Sequence, residues 1–414
     1  MIALVNPVSS GPELSRALRE EGGRCLHLYT AEHRAAHDAD LAAASAGPAA
    51  VLLHTDLDST VRALRGLGTE RVVAASEYGV VLADTLAARM GLEHHRPELA
   101  PARHDKHLML RAVADAGLPV AVSHLVRDPD ELDKALADIG RHPVVVKPGN
   151  SAGSDGCHTC HTPLQAHQAF RRIAHARNLL GRRNDGVLVQ ERLEGELHIV
   201  NTVSMGGRHL VGEIYAKRVE WTDGAPLLRH VVSVTRPDRR VRDLVDHTLG
   251  CLDALGIREG AAHSEVMLTP AGPRLVEVNS RVMGPCLSPD PFFAAFGHTQ
   301  QHLVAERFLR PGDFARRLDT PYGPARTLAR VFLRALRPGV LTAMDGLRTL
   351  RRLPGFHSLT KLPAIGAPVG DPYLTTGAGG LAYFVSDDPE LLAHSLAVVH
   401  AMEESGALFQ LDAR

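Results

Sequence analysis

The sequence contains no run of about 18 apolar residues, and its first residues, Met1 to Pro7, include neither a basic segment nor a long apolar one. A transmembrane helix or an export signal needs these features, so we expect a protein that neither spans a membrane nor is exported. Cysteine is also scarce, and five cysteines in 414 residues do not form the dense even framework of a small secreted protein. We therefore expect a reducing, cytoplasmic location.

The chain carries almost no net charge, because 46 Lys and Arg residues nearly cancel 47 Asp and Glu residues. Such a balance leaves no overall field that would draw the protein to nucleic acid or to an anionic membrane. We expect small-molecule partners, no nucleic acid and no membrane, with the chain acting alone or as a homodimer. The 24 His residues are scattered through an Arg- and Ala-rich sequence, so none is given a role on its own.

Alternating strand and helix patterns occupy the first hundred residues. Short apolar runs at 2–5, 24–29, 50–54 and 72–74 predict strands, and residues 12–21, 57–66 and 79–91 have helical spacing. This alternation predicts a parallel, doubly wound sheet, so residues 1–98 form a Rossmann-like domain. No Gly-x-Gly-x-x-Gly follows the first strand, which argues against ordinary dinucleotide binding.

A second domain is predicted to begin with a helix over 103–117, which a Gly and then a Pro terminate. We predict further helices at 129–139, 163–180, 239–255, 291–309 and 389–405, and strands at 144–147, 186–190 and between 197 and 234. Arg310-Pro311-Gly312 marks a boundary. The chain is thus divided into residues 1–98, 99–310 and 311–414.

The most informative segment is an acidic hairpin. Glu265 lies on one predicted strand and Glu277, Asn279 and Arg281 lie on the next, with a Pro- and Gly-containing turn between them. Alternate residues of a strand share a face, so the last three side chains should point the same way, with Glu265 across from them. Carboxylate and amide oxygens suit Mg²⁺, and an Arg fork can grip phosphate. The alternative is an ordinary exposed charged hairpin.

A Gly-rich loop over 149–156 follows a strand that ends with Lys147. Its backbone N–H groups could form a nest for phosphate oxygens, while the competing interpretation is a surface loop. Residues 149–153 also fit the Gly-x-Ser-x-Gly nucleophile elbow, but loop-forming residues follow where that motif needs a helix. Residues 157–161 fit a Cys-x-x-Cys-His haem attachment pattern, but covalent haem requires export.

Together these features resemble the ATP-grasp superfamily. Two lysines, the Gly-rich loop, the run 190–195 and the hairpin follow that family's order and approximate spacing. Segments 74–80 and 102–106 resemble the carboxylate-amine ligases that include bacterial L-amino-acid (dipeptide) ligases. The match covers 1–310, and 311–414 resembles the family's C-terminal subdomain more loosely. The implied fold is α/β and α+β, an ATP-grasp fold with an N-terminal Rossmann-like domain and a C-terminal subdomain that completes the substrate site.

The resemblance implies ATP and Mg²⁺, which Mn²⁺ can replace, as cofactors. The implied nucleotide-binding residues are two lysines, four residues of a mobile lid and the hinge strand: Lys106, Lys147, Ser151, Gly153, Ser154, Gly156, Gln190, Glu191, Arg192 and Leu193. Glu196 is one position away from the family's ribose-binding Glu, so either a bulge restores its direction or the ribose is held differently. Glu265, Glu277 and Asn279 match metal ligands.

Three side chains are implied in the chemistry. Arg281 matches the arginine that steadies the phosphoryl group, and Lys217 and His230 are candidates to face the intermediate, although a generic exposed Lys and His remain equally good interpretations. The implied reaction activates a carboxylate as an acyl phosphate and transfers it to an amine, with an amino acid joined to another amino acid or amine. The alternatives are an ATP-grasp carboxylase that uses bicarbonate and a non-catalytic nucleotide-binding protein.

Overall fold

The computed structural model describes residues 1–42, 47–151, 155–178, 181, 183–222, 225–284, 288–374 and 377–412. The strands in these ranges are β1 (Ile2–Val5), β2 (Cys25–Tyr29), β3 (Ala50–Leu53), β4 (Arg71–Ala74), β5 (Ser123–Val126), β6 (Val144–Pro148), β7 (His158–Cys160), β8 (Val187–Glu191), β9 (Glu196–Met205), β10 (Arg208–Thr222), β11 (Ala225–Ser233), β12 (Gly260–Thr269), β13 (Gly272–Asn279), β14 (Thr327–Phe332), β15 (Val340–Ala343), β16 (Phe356–Thr360), β17 (Leu381–Ser386) and β18 (Gln410–Asp412).

The α-helices in the same ranges are α1 (Gly11–Glu20), α2 (Arg34–Ala42), α3 (Leu57–Gly66), α4 (Val80–Met90), α5 (Lys106–Asp115), α6 (Pro129–Ile139), α7 (Pro163–Ile173), α8 (Arg239–Ala254), α9 (Asp290–Phe296), α10 (Gln300–Leu309), α11 (Pro311–Arg317), α12 (Leu347–Leu350) and α13 (Pro389–Glu404). Not one of these helices combines the length and the apolar composition needed to cross a membrane.

The N-terminal sheet is parallel, with the strand order β3-β2-β1-β4. Strand β1, one of the two central strands, is buried on both faces. Ile2 and Leu4 pack with residues of α1, whereas Ala3 and Val5 pack with residues of α3 and α4. A strand that is covered on both sides must be apolar throughout, which explains the short continuous apolar runs in the sequence. The predicted parallel sheet is confirmed.

A smaller antiparallel sheet follows, with the order β5-β8-β6-β7. Val144 and Val146 of β6 pack with α6 and α7 in its core, while the alternate residues Val145 and Lys147 face a cavity. The helices begin where the sequence offers a side-chain cap, as at Thr162, whose hydroxyl accepts the Gln165 N–H. The sheet therefore turns one apolar face to helices and the other to the cavity.

The largest sheet has eight strands among the described residues, in the order β13-β12-β9-β10-β11-β14-β17-β16. Helices α5 and α8 cover one face at its β12–β13 end. Three strands that follow residue 310 extend the same sheet, because β14 pairs with β11 over residues 230–232. Helix α13 packs against these later strands.

The structure differs from the sequence-based elements at several places. The helix predicted over 291–309 is two helices, because Gly297 takes φ +72° at the end of α9 and Thr299 then caps α10. The helix predicted over 163–180 ends at Ile173, and the one predicted over 103–117 begins at Lys106 after a 3₁₀ segment, Pro97–Arg103. Helix α2 has no counterpart in the sequence-based prediction.

Candidate active site

The acidic hairpin forms as predicted, with one irregularity. Glu265 of β12 and Glu277 of β13 are direct antiparallel partners, and the next pair is Val266 with Leu275. Val276 is therefore an extra residue, a β-bulge that locally disrupts the alternation of faces. Strand β13 ends at Asn279, so Arg281 lies beyond the strand rather than on its face.

Each of the two carboxylates is held by a lysine. Glu265 Oε1 lies 2.7 Å from Lys217 Nζ, and Glu277 Oε2 lies 2.9 Å from Lys106 Nζ. Asn279 Nδ2 donates a hydrogen bond to Glu277 Oε1 at 3.2 Å. This arrangement brings the three predicted metal ligands and two predicted cationic groups into one cluster.

These contacts decide the charge of the cluster. Burial alone would raise the pKa of the Glu265 carboxyl, but the Lys217 ammonium and His263 outweigh it and hold the pKa well below its usual range. Burial also acts against ionisation of Glu277, and the Lys106 ammonium overcomes both that effect and the repulsion from Glu265, so the pKa is lowered. Both side chains are carboxylates at neutral pH.

The donor set fits a hard divalent cation. Two ionised carboxylates lie opposite each other, and Asn279 uses its nitrogen to donate, so its amide oxygen can still act as a ligand. Within the described ranges, no group of three His, Cys, Asp or Glu side chains forms a metal site by itself. Two carboxylates and an amide leave several positions for phosphate oxygens and water, as Mg²⁺ prefers.

A cavity of about 490 Å³ lies between the small sheet and the large sheet. Nine of the residues that were predicted from the sequence line it: Lys147, Gln190, Glu191, Arg192, Leu193, Glu196, Lys217, His230 and Glu265. Lys147 Nζ donates to Gln190 Oε1 at 3.0 Å, and burial lowers the pKa of Lys147. We refer to this space as the inter-sheet cavity.

A second cavity of about 460 Å³ lies at the carboxyl ends of the N-terminal strands. Lys106, Glu277 and Asn279 line it at one end, and residues that follow β2, β3 and β4 line the other. We refer to it as the N-terminal cavity. Since Glu265 faces the inter-sheet cavity and its partner Glu277 faces the N-terminal cavity, the carboxylate pair lies where the two spaces approach each other.

A family model described as the ATP-grasp domain matches residues 140–290. Dapdiamide A synthase from Enterobacter agglomerans is 29% identical over 409 residues, which cover 97% of this chain and 96% of that protein. Residues 140–290 are thus identified as an ATP-grasp domain. The sequence-based identification of the family, of the fold and of a ligase is confirmed.

Solved structures of other ATP-grasp proteins share the fold. The L-amino acid ligase from Bacillus licheniformis superposes with a TM-score of 0.75 at 18% identity, covering 100% of this chain and 98% of that one. The biotin carboxylase domain of 2-oxoglutarate carboxylase from Hydrogenobacter thermophilus, solved with MgADP and bicarbonate, gives a TM-score of 0.63 at 13% identity, covering 99% and 90%. At these identities the similarity concerns the fold.

The predicted hinge, residues 190–193, borders the inter-sheet cavity, but the Glu191 carboxylate has protein partners. Its Oε1 accepts the backbone N–H of Val122 at 2.9 Å, and its Oε2 is paired with Arg141. The carboxylate thus connects the hinge to the chain before β5. A nucleotide base at this position would meet mainly the backbone groups of the hinge.

The bulge that was considered for Glu196 does not occur. The pairing of β9 with β12 runs in regular register from Ser204↔Gly260 to Glu196↔Leu268, all of it within the described chain. Just before it, Gly195 takes φ +154°, and a Cβ there would lie 2.2 Å from the Leu268 carbonyl oxygen. Only glycine allows this close approach. Glu196 is exposed and lines the inter-sheet cavity, and its ribose contact stays a prediction.

His230 has a different neighbourhood from the one expected. Its ring stacks on His400 of α13 at 5.0 Å, and its Nδ1 lies 2.7 Å from His400 Nε2. Burial, with the nearby His400, Arg218 and Arg229, lowers the pKa of His230 to about 3. The His230 ring is therefore neutral, and it contacts His400 of the C-terminal helix. Its neighbours are separate from the Glu265–Glu277 cluster.

The Gly-rich loop is described at its two ends only. Lys106 Nζ donates to the Ser151 carbonyl oxygen at 2.7 Å, and Ser151 Oγ donates to Asp155 Oδ2 at 2.7 Å. Gly156 takes φ +61°. Gly153 and Ser154 lie outside the described residues. The described residues after that gap, 155–160, contain the strand His158–Cys160 and no helix, whereas a nucleophile elbow has a helix after its serine.

Arg281 connects the site with the N-terminal domain. Its Nε donates to Glu77 Oε2 at 2.8 Å, and its Nη1 donates to the Val282 carbonyl oxygen at 3.1 Å. Sequence reasoning missed Glu77 as a site residue, although it lies inside the segment 74–80 that carries the family resemblance. One nitrogen of the guanidinium remains for a phosphoryl or carboxylate oxygen.

A buried polar network below Glu265 was also missed. His263 Nδ1 lies 2.8 Å from Asn201 Oδ1, and Asn201 Nδ2 donates to Glu213 Oε2 at 2.7 Å. The only local signal was the position of His263, two residues before Glu265 and therefore on the same strand face. The partners Asn201 and Glu213 lie on β9 and β10, and His263 Nε2 lies 3.8 Å from Glu265 Oε1, so the network adjoins that carboxylate.

Proposed function

We propose that this ATP-grasp ligase joins the carboxyl group of an amino acid to the amine of another amino acid or a similar small amine. The proposal rests above all on the position of the Glu265–Glu277 pair between two cavities. One cavity has the two-sheet setting of a nucleotide site, and the other offers space for a small carboxylic acid. Chemistry at their junction would link the two ligands.

Two steps follow from this arrangement. A carboxylate oxygen of the acyl donor attacks the γ-phosphorus of ATP, the bond from that phosphorus to the β,γ-bridging oxygen breaks, and ADP leaves. The amine nitrogen then attacks the carbonyl carbon of the acyl phosphate, the C–O bond breaks, and phosphate leaves. The amine gives up a proton, and the products are an amide, ADP and phosphate.

The residues of the chain would act mainly through charge and position. Lys106 and Lys147 each place an amine beside a cavity, and Arg281 offers a planar fork. Glu265, Glu277 and Asn279 would hold Mg²⁺, which supplies charge neutralisation at the phosphates when bound, and Mn²⁺ is expected to replace it because it accepts the same oxygen ligands.

The testing experiment is a substrate screen. Purified protein is incubated with MgATP and pairs of amino acids, ADP and phosphate are measured by coupled assay, and the product mass is determined. We expect ADP release that requires an amino acid and a product whose mass equals the two substrates minus water. A parallel series replaces the amino acids with bicarbonate.

The comparison with bicarbonate distinguishes the outcomes. ADP release that depends on bicarbonate and not on amino acids would identify a carboxylase and overturn the proposal. Tight nucleotide binding without turnover for any carboxylic acid would instead favour a nucleotide-binding protein. The Glu277→Gln protein is the matched control, because its side chain keeps the shape of the original and loses only the charge.

A further inference from the structure

The N-terminal cavity lies at the carboxyl ends of parallel strands, where open α/β sheets bind their ligands. Thr30 follows β2, His54 follows β3, and Glu77 and Tyr78 follow β4, and all four line the cavity. The opposite wall carries Lys106 and Glu277. A ligand in this space would reach from the loops of the N-terminal domain to the carboxylate pair.

Charged side chains at the inner end of this cavity are already compensated. Lys106 is paired with Glu277 at 2.9 Å, Glu77 with Arg281 at 2.8 Å, and Arg103 with Asp84 at 2.8 Å. Glu32 is exposed. Apart from Glu32, which also lines the cavity, the surface that remains for the body of a ligand is therefore largely uncharged.

The wall of the N-terminal cavity that lies away from the carboxylate pair is apolar and solvent-exposed. Tyr78 and Val81 are each 37% exposed, although both are large hydrophobic side chains, and Leu82 lines the same wall. The His33 and Tyr78 rings pack in a T-shaped arrangement with centroids 4.7 Å apart, and burial lowers the pKa of His33, so the imidazole is neutral. Exposed apolar side chains in a concave space mark a binding surface for an apolar group.

We propose that the acyl donor is an amino acid with an uncharged, apolar side chain that packs on Tyr78, Val81 and Leu82. Its carboxylate is directed toward Lys106, because the carboxylate is the group that must meet the γ-phosphate at the junction of the cavities. These three side chains of the β4–α4 segment then determine specificity. The inference rests on the function proposed above and names the substrate class for one of its two sites.

The experiment isolates the acyl donor by using hydroxylamine as the amine, since it converts any acyl phosphate into a hydroxamic acid and phosphate. Hydroxamate and ADP are measured for leucine, methionine and phenylalanine and for aspartate, glutamate, lysine and arginine. We expect the apolar group to have kcat/KM values at least about 10-fold higher, the scale on which apolar pockets discriminate.

Val81→Asp is the main variant, because Val81 lies in the first turn of α4, where an acidic side chain is compatible with the helix dipole. It should lower kcat/KM for leucine by about 10-fold or more, raise the relative use of lysine, and leave KM for ATP unchanged. Leu164→Asp is the matched control, since Leu164 is 64% exposed on α7 and lines neither cavity. The control should behave as the wild type.

Tyr78→Ala provides a second variant if Val81→Asp does not fold, and it should reduce phenylalanine and leucine use alike. A wild-type preference for charged donors, or donor preferences in Val81→Asp and Tyr78→Ala that equal those of Leu164→Asp, would overturn the inference while leaving the ligase function intact. Absence of ADP release with every carboxylic acid would overturn the ligase function itself, and the inference with it.

Discussion

Replacing Glu277 with Gln tests the centre of the site. The change keeps the shape of the side chain and its ability to accept from Asn279, but it removes the charge that faces Lys106 at 2.9 Å. Lys106 retains the Ser151 carbonyl as an acceptor. The variant should therefore fold and expose the electrostatic role of Glu277.

The effect on stability can be bounded from exposure. The Lys106 and Glu277 side chains are 15% and 21% exposed, which places the pair between fully exposed ion pairs and buried ones. Exposed pairs contribute about 0–1 kcal/mol, and loss of one partner of a buried pair costs about 3–5 kcal/mol. We expect the free energy of unfolding to fall by about 1–3 kcal/mol.

The effect on turnover should be larger. Removing one group that stabilises developing charge at a reacting centre costs about 100- to 1000-fold in kcat, or roughly 2.7–4 kcal/mol in the activation free energy. Because Glu277 is also a predicted metal ligand, the Mg²⁺ concentration that gives half-maximal ADP release should rise. The loss of turnover then exceeds what partial unfolding could explain.

ADP release over a Mg²⁺ titration and thermal unfolding should be measured on the same preparation. Asp319→Asn is the control, because Arg208 and Asp319 form a pair of similar length, 2.7 Å, whose side chains are 59% and 75% exposed. It should leave turnover unchanged and stability within about 1 kcal/mol. If Glu277→Gln turned over like Asp319→Asn at every Mg²⁺ concentration, the assignment of Glu277 would be wrong.

Four further predictions follow from the same site. Asn279→Ala should lower ADP release by orders of magnitude without loss of folding, as circular dichroism and the coupled assay would check, and near-normal turnover would contradict its role as a ligand. Arg281→Lys should impair amide formation far more than ATP binding measured by calorimetry, since lysine keeps the charge but loses the fork; an equal loss of both would make Arg281 an ATP anchor. Saturating MgATP should protect residues 149–161 from hydrogen exchange, and unchanged exchange would argue against a phosphate-binding loop. The pKa values of Glu265 and Glu277 are lowered in the folded state. The stability that these carboxylates contribute should therefore be present above about pH 4.3 and be lost as the pH falls through the lowered pKa values. Acid unfolding of Glu277→Gln should accordingly be less pH-dependent than that of the wild type.

The parts of the site that depend on local sequence were predictable. Glu265 and Glu277 could be placed opposite each other because a Pro- and Gly-containing turn sets the register of a hairpin. The bulge at Val276 could not be predicted, since a second apolar residue after Leu275 gives no signal of its own. The end of β13 at Asn279, which leaves Arg281 beyond the strand and paired with Glu77, was also missed.

Contacts between distant segments could not be predicted from the sequence, for a different reason. Glu191 is held by Val122, 69 residues away, and His230 by His400, 170 residues away, so neither partner is suggested by any local pattern. Helix α2 was missed because His37 is its one buried residue among those described, which leaves no apolar periodicity to read. The break at Gly297 and Thr299 was also missed, although Gly is a common helix stop and Thr a common helix start.

The continuity of the large sheet has a consequence for the chain as a whole. Strand β11, which borders the inter-sheet cavity, pairs on one side with β10 and on the other with β14, and His400 of α13 packs against His230 in β11. In a chain shortened to residue 310, the backbone N–H and C=O groups of β11 would be unpaired, and Val232 would be uncovered. Such an exposed strand edge is a template for association with other chains. The last hundred residues thus protect the chain against aggregation, and residues 1–310 could not be separated from them by simple truncation.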